Sequence, residues 1–194
     1  MNDERSEKTV LRRRFRATRQ ALEPALRQAE TAATVAVLSS YLKAHADRPL
    51  ASYLALSDEL DLTELHRFWW SQKRSLWLPR VSGAGTLTWH AFTDENHVMH
   101  ATALGSFGIR EPNPAQIPAQ PLPTNTTVLV PGLAFTRAGQ RLGQGKGFYD
   151  RVLSVHQGHT IGIGYHCQRA EYLPTETHDQ PVAMVVLGGE PLEK

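Results

Sequence analysis

The first residues of the chain follow a helical pattern of apolar and polar positions. In residues 4–22, Leu11, Phe15 and Leu22 fall on one side and basic side chains cover the rest, which predicts an amphipathic helix. Residues 24–46 predict a second helix, which opens with proline, a residue suited to a first helical turn. Its alanines and branched apolar residues indicate a packing role.

A run of apolar residues follows the two helices. Residues 49–56 predict a buried strand, and Asp61 is predicted to cap the next helix, with Glu64 completing a capping box. Glu59 then lies at the carboxyl end of a strand, where open α/β sheets bind ligands. The same position is also typical of a solvated loop acid.

Further strands are predicted along the rest of the chain. Residues 75–81 and 86–92 form a pair joined by a glycine turn, and residues 160–165 and 182–187 form two later strands. Five prolines in residues 112–123 indicate a stiff extended connection. Helices and strands therefore alternate, which predicts an α/β fold.

The most informative stretch runs from Val128 to Leu153. A buried strand is followed by a loop and then by a helix that begins at Phe148. Glycines let backbone N–H groups approach an anion, and basic side chains neutralise it, so this order predicts a phosphate site. Asp150, one turn into the helix, is suited to a hard cation. The loop glycines and cations are Gly139, Gly143, Gly145, Gly147, Arg137, Arg141 and Lys146.

Two general phosphate motifs do not fit this loop. A Walker loop requires glycine where Gln140 stands and a hydroxyl residue where Gly147 stands. The dinucleotide fingerprint requires glycine at the position of Phe148. A flexible glycine loop with solvated charges remains the alternative.

Composition limits the class of protein. The 194 residues are 41% hydrophobic and 21% charged with a formal charge of +2, which predicts one globular domain, residues 1–194. A single cysteine, Cys167, excludes an internal disulfide, and no apolar run is long enough for a membrane span. We expect a cytoplasmic protein. Nine histidines lack the spacing of a zinc motif, so we expect no zinc site.

The central motif resembles the signature of the 5-formyltetrahydrofolate cyclo-ligase family, also called methenyltetrahydrofolate synthetases. The resemblance rests on residues 131–135, Gly139 and the continuous run from Arg141 to Asp150. It implies ATP- and Mg²⁺-dependent conversion of 5-formyltetrahydrofolate to 5,10-methenyltetrahydrofolate. It also implies a three-layer α/β/α sandwich with a mostly parallel sheet, like that of sugar-phosphate isomerases and CoA transferases.

The same resemblance implies roles for individual residues. It assigns Leu54 and Glu59 to the folate substrate together with the loop residues 144–148, and it assigns Asp150 and Asp179 to the metal. Arg141 and Lys146 are the expected catalytic residues. The expected nucleotide-binding residues are Lys8, Thr9, Val10, Leu11, Arg12, Arg141, Leu142, Gly143, Gln144, Gly145, Lys146, Gly147, Phe148 and Tyr149.

Some positions differ from the family pattern or allow two interpretations. Thr136 and Ala183 stand where the family usually has aspartate, and Phe148 stands where tyrosine is common. Residues 105–112 resemble a family turn, in which we expect neighbouring Arg110 and Glu111 to pair. Arg80 suits either an anionic ligand tail or the surface.

The implied mechanism is phosphoryl transfer to the formyl oxygen, attack by nitrogen 10 and departure of phosphate. One rival is an ATP-independent phosphate-ester isomerase or transferase on the same fold. Another is a nucleic-acid-binding module that uses the arginines of the first helix, but the weak net charge counts against it. We expect a monomer that binds small molecules and neither nucleic acid nor membrane.

Overall fold

The chain folds around one seven-stranded sheet. The computed structural model describes residues 2–83, 85–105, 108 and 110–192. The helices of this part of the chain are α1 Asn2–Gln20, α2 Pro24–Ala44, α3 Thr63–Ser71, α4 Glu95–Ala101 and α5 Phe148–Leu153. The strands are β1 Leu50–Ala51, β2 Leu76–Val81, β3 Leu87–Phe92, β4 Thr102–Leu104, β5 Arg110–Pro112, β6 Thr127–Pro131, β7 Ala134–Phe135, β8 Arg141–Leu142, β9 Thr160–Gly164, β10 Met184–Leu187 and β11 Glu190–Pro191.

The main sheet is mostly parallel. Its strand order is β11-β10-β9-β6-β1-β2-β3, and only the two edge strands, β11 and β3, run antiparallel to their neighbours. From β1 the chain passes through α3 to β2 on one side, and it later returns to β6 on the other side. The gap between β1 and β6 is therefore a topological switch point, where sheets of this kind bind ligands at the carboxyl ends of the strands.

Helices cover both faces of the sheet. Because strand residues alternate between faces, Leu50 and Leu129 pack with α2 and α3, whereas Ala51 and Val128 pack with α5. The first face holds fully buried Trp69 among many leucines. Truncating a buried leucine of this kind to alanine costs about 2–5 kcal/mol. The predicted α/β class with a mostly parallel sheet in three layers is confirmed.

Helix α1 is held against the connection that follows β6. Its Leu11 and Phe15 pack on Leu133, Leu142 and Leu173. This is the apolar side that the sequence predicts. On its basic side, Arg12 and Arg16 contact the loop that follows β8.

Several local predictions are wrong. The strand expected over residues 49–56 has two residues in the sheet, because the chain after Ser52 leaves the sheet and turns to line a cavity. Asp61 lies one residue before the cap position, which is Leu62, and it accepts hydrogen bonds from Thr63 instead. Glu64 pairs with Arg67 and completes no capping box.

The expected pair of Arg110 and Glu111 is also wrong. Neighbouring residues of β5 point to opposite sides, so Arg110 donates to the Thr102 side chain and carbonyl. Glu111 lies 4.0 Å from Arg80. Residues 106, 107 and 109 of the expected turn lie outside the described residues.

Candidate active site

A cavity of about 450 Å³ opens at the switch point of the sheet. Tyr53 and Leu54, which follow β1, line the cavity together with Gly132, which follows β6. The loop from Gly143 to Asp150 lines it as well. Concave sites with a few converging polar groups are the usual place for small-molecule binding.

An ion pair fixes the start and the end of this loop. Arg141 on β8 donates to Asp150 on α5 over 2.9 Å and to the carbonyl of Pro131 over 3.4 Å. Both side chains are largely buried, at 5% and 17% exposure. The pair uses one of the two carboxylate oxygens of Asp150.

Glycines make this arrangement sterically possible. A Cβ at residue 143 would lie 2.5 Å from Nη1 of Arg141, so a side chain there would displace the guanidinium from its present place. Gly145 and Gly147 have φ angles of +91° and +68°, which other residues rarely adopt. Gly147 precedes the first residue of α5, and Lys146 between the two glycines lines the cavity.

A largely buried acid, Glu59, also lines the cavity. Glu59 accepts a hydrogen bond from the backbone of Leu56 over 3.1 Å, and its second oxygen lies 3.7 Å from Nη1 of Arg19. Burial raises the pKa of Glu59, although the Leu56 N–H and Arg19 oppose that rise. A carboxylate at this place is suited to accept N–H donors from a heterocycle.

Two buried phenols stand near this acid. Burial raises the pKa of Tyr53 and of Tyr149, and the charge of Glu59 adds to both shifts. Tyr53 donates to the carbonyl of Leu60, whereas within the described residues the hydroxyl of Tyr149 has no hydrogen-bond partner. An unpaired buried hydroxyl beside a cavity is suited to a polar ligand atom.

Helix α1 reaches the same loop through its arginines. Arg12 donates to the carbonyl of Gly143 over 3.0 Å, and Arg16 bonds the side chain of Gln144. Arg19 lines the cavity itself. Arg19 was not assigned to the site from the sequence, although the successive spacings of 4 residues from Arg12 to Arg16 and 3 residues from Arg16 to Arg19 place all three on one helix face.

Other residues expected at the nucleotide lie apart from the cavity wall. Lys8 lies 2.7 Å from Glu176 and 2.5 Å from Asp179. Burial lowers the pKa of Lys8, but its hydrogen bonds to the two acids outweigh that effect and leave it raised. Val10 is 65% exposed, and Leu11 belongs to the apolar contact of α1.

Each of the two expected metal ligands forms an ion pair with a different basic side chain. Asp150 pairs with Arg141 and Asp179 pairs with Lys8. Glu176, His178 and Asp179 form a cluster whose ligand atoms lie within 4.8 Å of one another. Carboxylate oxygens are the ligand type that Mg²⁺ prefers, so the donor chemistry fits, and the assignment of both aspartates stays a prediction.

No helix in the described part of the chain is long and apolar enough to cross a membrane.

Comparison with known proteins identifies the family. The model of the 5-formyltetrahydrofolate cyclo-ligase family matches residues 4–188. The 5-formyltetrahydrofolate cyclo-ligase of Haemophilus influenzae is 31% identical over 91% of this chain and 93% of that protein. The Escherichia coli K12 protein of the same name is 30% identical over 89% of this chain and 95% of that protein.

Solved structures agree with the sequence comparison. The NMR structure of Aquifex aeolicus 5,10-methenyltetrahydrofolate synthetase has a TM-score of 0.76 and 29% identity over 96% of this chain and 92% of that one. A Mycoplasma pneumoniae 5,10-methenyltetrahydrofolate synthetase has a TM-score of 0.70 at 20% identity, covers 94% of this chain and 99% of that one, and supports the fold. The likeness to sugar-phosphate isomerases and CoA transferases stays a prediction. The chain is an enzyme of the 5-formyltetrahydrofolate cyclo-ligase family.

Proposed function

We propose that this protein converts 5-formyltetrahydrofolate to 5,10-methenyltetrahydrofolate at the expense of ATP, with release of ADP and phosphate. The observation that carries the proposal is the cavity at the switch point. Its lining includes Arg141, Lys146 and Asp150 from the glycine loop and the largely buried acid Glu59 from the connection after β1. The loop cations are suited to phosphates and the acid to the N–H groups of a pterin.

The chemical difficulty is that the oxygen of a formamide leaves poorly. Phosphorylation of the formyl oxygen by ATP makes it a leaving group, nitrogen 10 attacks the activated carbon to close the ring, and phosphate departs. Arg141 and Lys146 offset the charge that develops on the transferred group. Mg²⁺ held by Asp150 and Asp179 would add positive charge at the phosphates.

The binding residues of this proposal divide between two ligands. Leu54 and Glu59 hold the pterin together with the loop residues 144–148. The nucleotide is bound by residues 8–12 of α1 and by residues 141–149. The contact of Arg12 with the carbonyl of Gly143 supports this division, because it joins α1 to the loop. We propose that residues 1–194 act as one domain and as a monomer.

An absorbance assay for the methenyl product, run with and without ATP, tests the activity. We expect product only with ATP, and ADP release only when the folate substrate is present. Turnover of a phosphate ester without ATP would instead support the isomerase alternative. Equal product formation with and without ATP would refute the proposed mechanism.

The variant Lys146→Ala tests the loop. We expect turnover to fall about 10²-fold or more, because one preorganised charge at a transferring group is worth that much. Lys43→Ala is the matched control, since Lys43 lies over Phe68 and away from the cavity. Normal turnover of Lys146→Ala would refute the role of this lysine.

A further inference from the structure

The acid on the cavity wall is held by groups from several elements. Glu59 is a loop residue, and its neighbour Asp58 adds a second negative charge beside it. Arg19 approaches it from α1, and Tyr149 approaches from α5. Tyr53 lies on the same connection, and Tyr165 donates from its hydroxyl to the carbonyl of Glu59 over 3.1 Å.

Arg19 is the cation of this group and is almost completely buried. Only 2% of it is exposed. Its Nε and Nη2 donate to one oxygen of Asp58 over 3.1 and 2.7 Å, and its Nη1 donates to the carbonyl of Gly132 over 3.4 Å. The same Nη1 lies 3.7 Å from Glu59.

The position of Arg19 joins the two sides of the switch point. Asp58 and Glu59 belong to the connection after β1, whereas Gly132 follows β6. A planar guanidinium can interact with the two carboxylates and the carbonyl of Gly132 at once, which the ammonium group of a lysine cannot do. Because both acids are largely buried, at 18% and 11% exposure, the effect of this cation is weakly screened by water.

We propose that Arg19 is a positioning residue for substrate binding: it keeps Glu59 ionised and turned into the cavity, so that this carboxylate accepts the ring N–H and amino donors of a pterin. The inference rests on the proposed function and adds a residue to it. Without Arg19, burial and the charge of Asp58 both favour the protonated acid. Protonation turns one of the two acceptor oxygens of the carboxylate into an O–H donor. The acid then accepts fewer hydrogen bonds from the pterin, and the substrate binds more weakly.

The pH dependence of KM for the folate substrate separates this role from a purely structural one. In Arg19→Gln we expect the rise of KM on acidification to begin at a pH higher by about 1 or more, the effect of one opposite charge at this distance. On the acidic side of that onset, KM of the variant should exceed KM of the wild type by up to about tenfold, whereas kcat at saturating substrate stays within about threefold of wild type.

The matched control is Arg27→Gln. Arg27 donates to the carbonyls of Asp58 and Arg19 and lies over the ring of Tyr165, so it supports the same connection without approaching the carboxylate. We expect Arg27→Gln to lower the melting temperature and to keep the wild-type pH profile.

Asp58→Asn gives a test that does not require Arg19→Gln to fold. Loss of this negative charge should displace the rise of KM on acidification to lower pH, which is opposite to the change expected for Arg19→Gln. The inference is overturned if the KM–pH profiles of Asp58→Asn and of a folded Arg19→Gln both coincide with the wild-type profile. Absence of methenyl product in the wild-type enzyme, seen before any variant is compared, would instead refute the proposed function and the inference with it.

Discussion

A buried histidine behind the cavity should make the protein sensitive to mild acid. His66 on α3 is 3% exposed, and its Nε2 lies 2.8 Å from the hydroxyl of Ser52. Ser52 follows β1 and begins the connection that carries Tyr53 and Glu59 to the cavity. Burial lowers the pKa of His66 from 6.5 to about 4, although Asp61 opposes this effect.

The size of the effect follows from that difference in pKa. As the pH falls through 6.5, the unfolded chain takes up a proton that folded His66 accepts only near pH 4. The contribution of His66 is therefore complete above pH 6.5 and is lost progressively as the pH falls to about 4. A difference of about 2.5 in pKa corresponds to about 3 kcal/mol of unfolding free energy.

Urea unfolding between pH 7.5 and 4 measures this effect directly. We expect the unfolding free energy of His66→Gln to fall less steeply with acidification than that of wild type, by up to about 3 kcal/mol over the whole range. His100→Gln is the control, because His100 is exposed on α4 and should keep the wild-type slope. Identical slopes for wild type and His66→Gln would refute this reasoning.

Two further variants test other contacts. In Gly139→Ala, a φ of +88° and a Cβ only 2.2 Å from the carbonyl of Val182 should cost at least about 1–3 kcal/mol in urea unfolding. The matched Gly83→Ala, with no atom within 4 Å of its Cβ, should change little, and equal effects of the two variants would contradict the steric argument. Lys8→Met should lower the melting temperature more at pH 7.5 than at pH 2.5, because the pKa values of Asp179 and Glu176 are lowered in the folded protein, so their ion pairs with Lys8 stabilise it above the ordinary carboxyl pKa values and are lost only as the pH falls through the lowered ones. A loss that does not depend on pH would argue against those ion pairs.

The main elements could be predicted because their patterns are long. Helices α1 and α2 and strands β2 and β3 occur where the periodicity places them. The two-residue strands β7 and β8 are too short to carry a period, so the sequence shows only a glycine loop there. Helix α4 was also missed, although Asp94 caps it through the N–H of His97.

The candidate site could be predicted where it is continuous in sequence. The residues from Arg141 to Asp150 lie together because one loop carries them, and Leu54 and Glu59 line the same cavity. The partners of Arg19 are 39 and 113 residues away, and those of Lys8 are 168 and 171 residues away. Such pairings depend on the fold of the whole sheet, which no local spacing encodes.

The attachment of α1 has a consequence for synthesis on the ribosome. Its partners Gly132, Gly143 and Asp179 are synthesised 113 to 171 residues after the α1 residues that contact them. At roughly 5–20 residues per second, the nascent helix waits on the order of ten seconds for its docking partners. The contacts of Leu11 and Phe15 with Leu133, Leu142 and Leu173 can form only after those leucines have been made. The cavity is likewise incomplete until the residues up to Asp150 have been added to the chain.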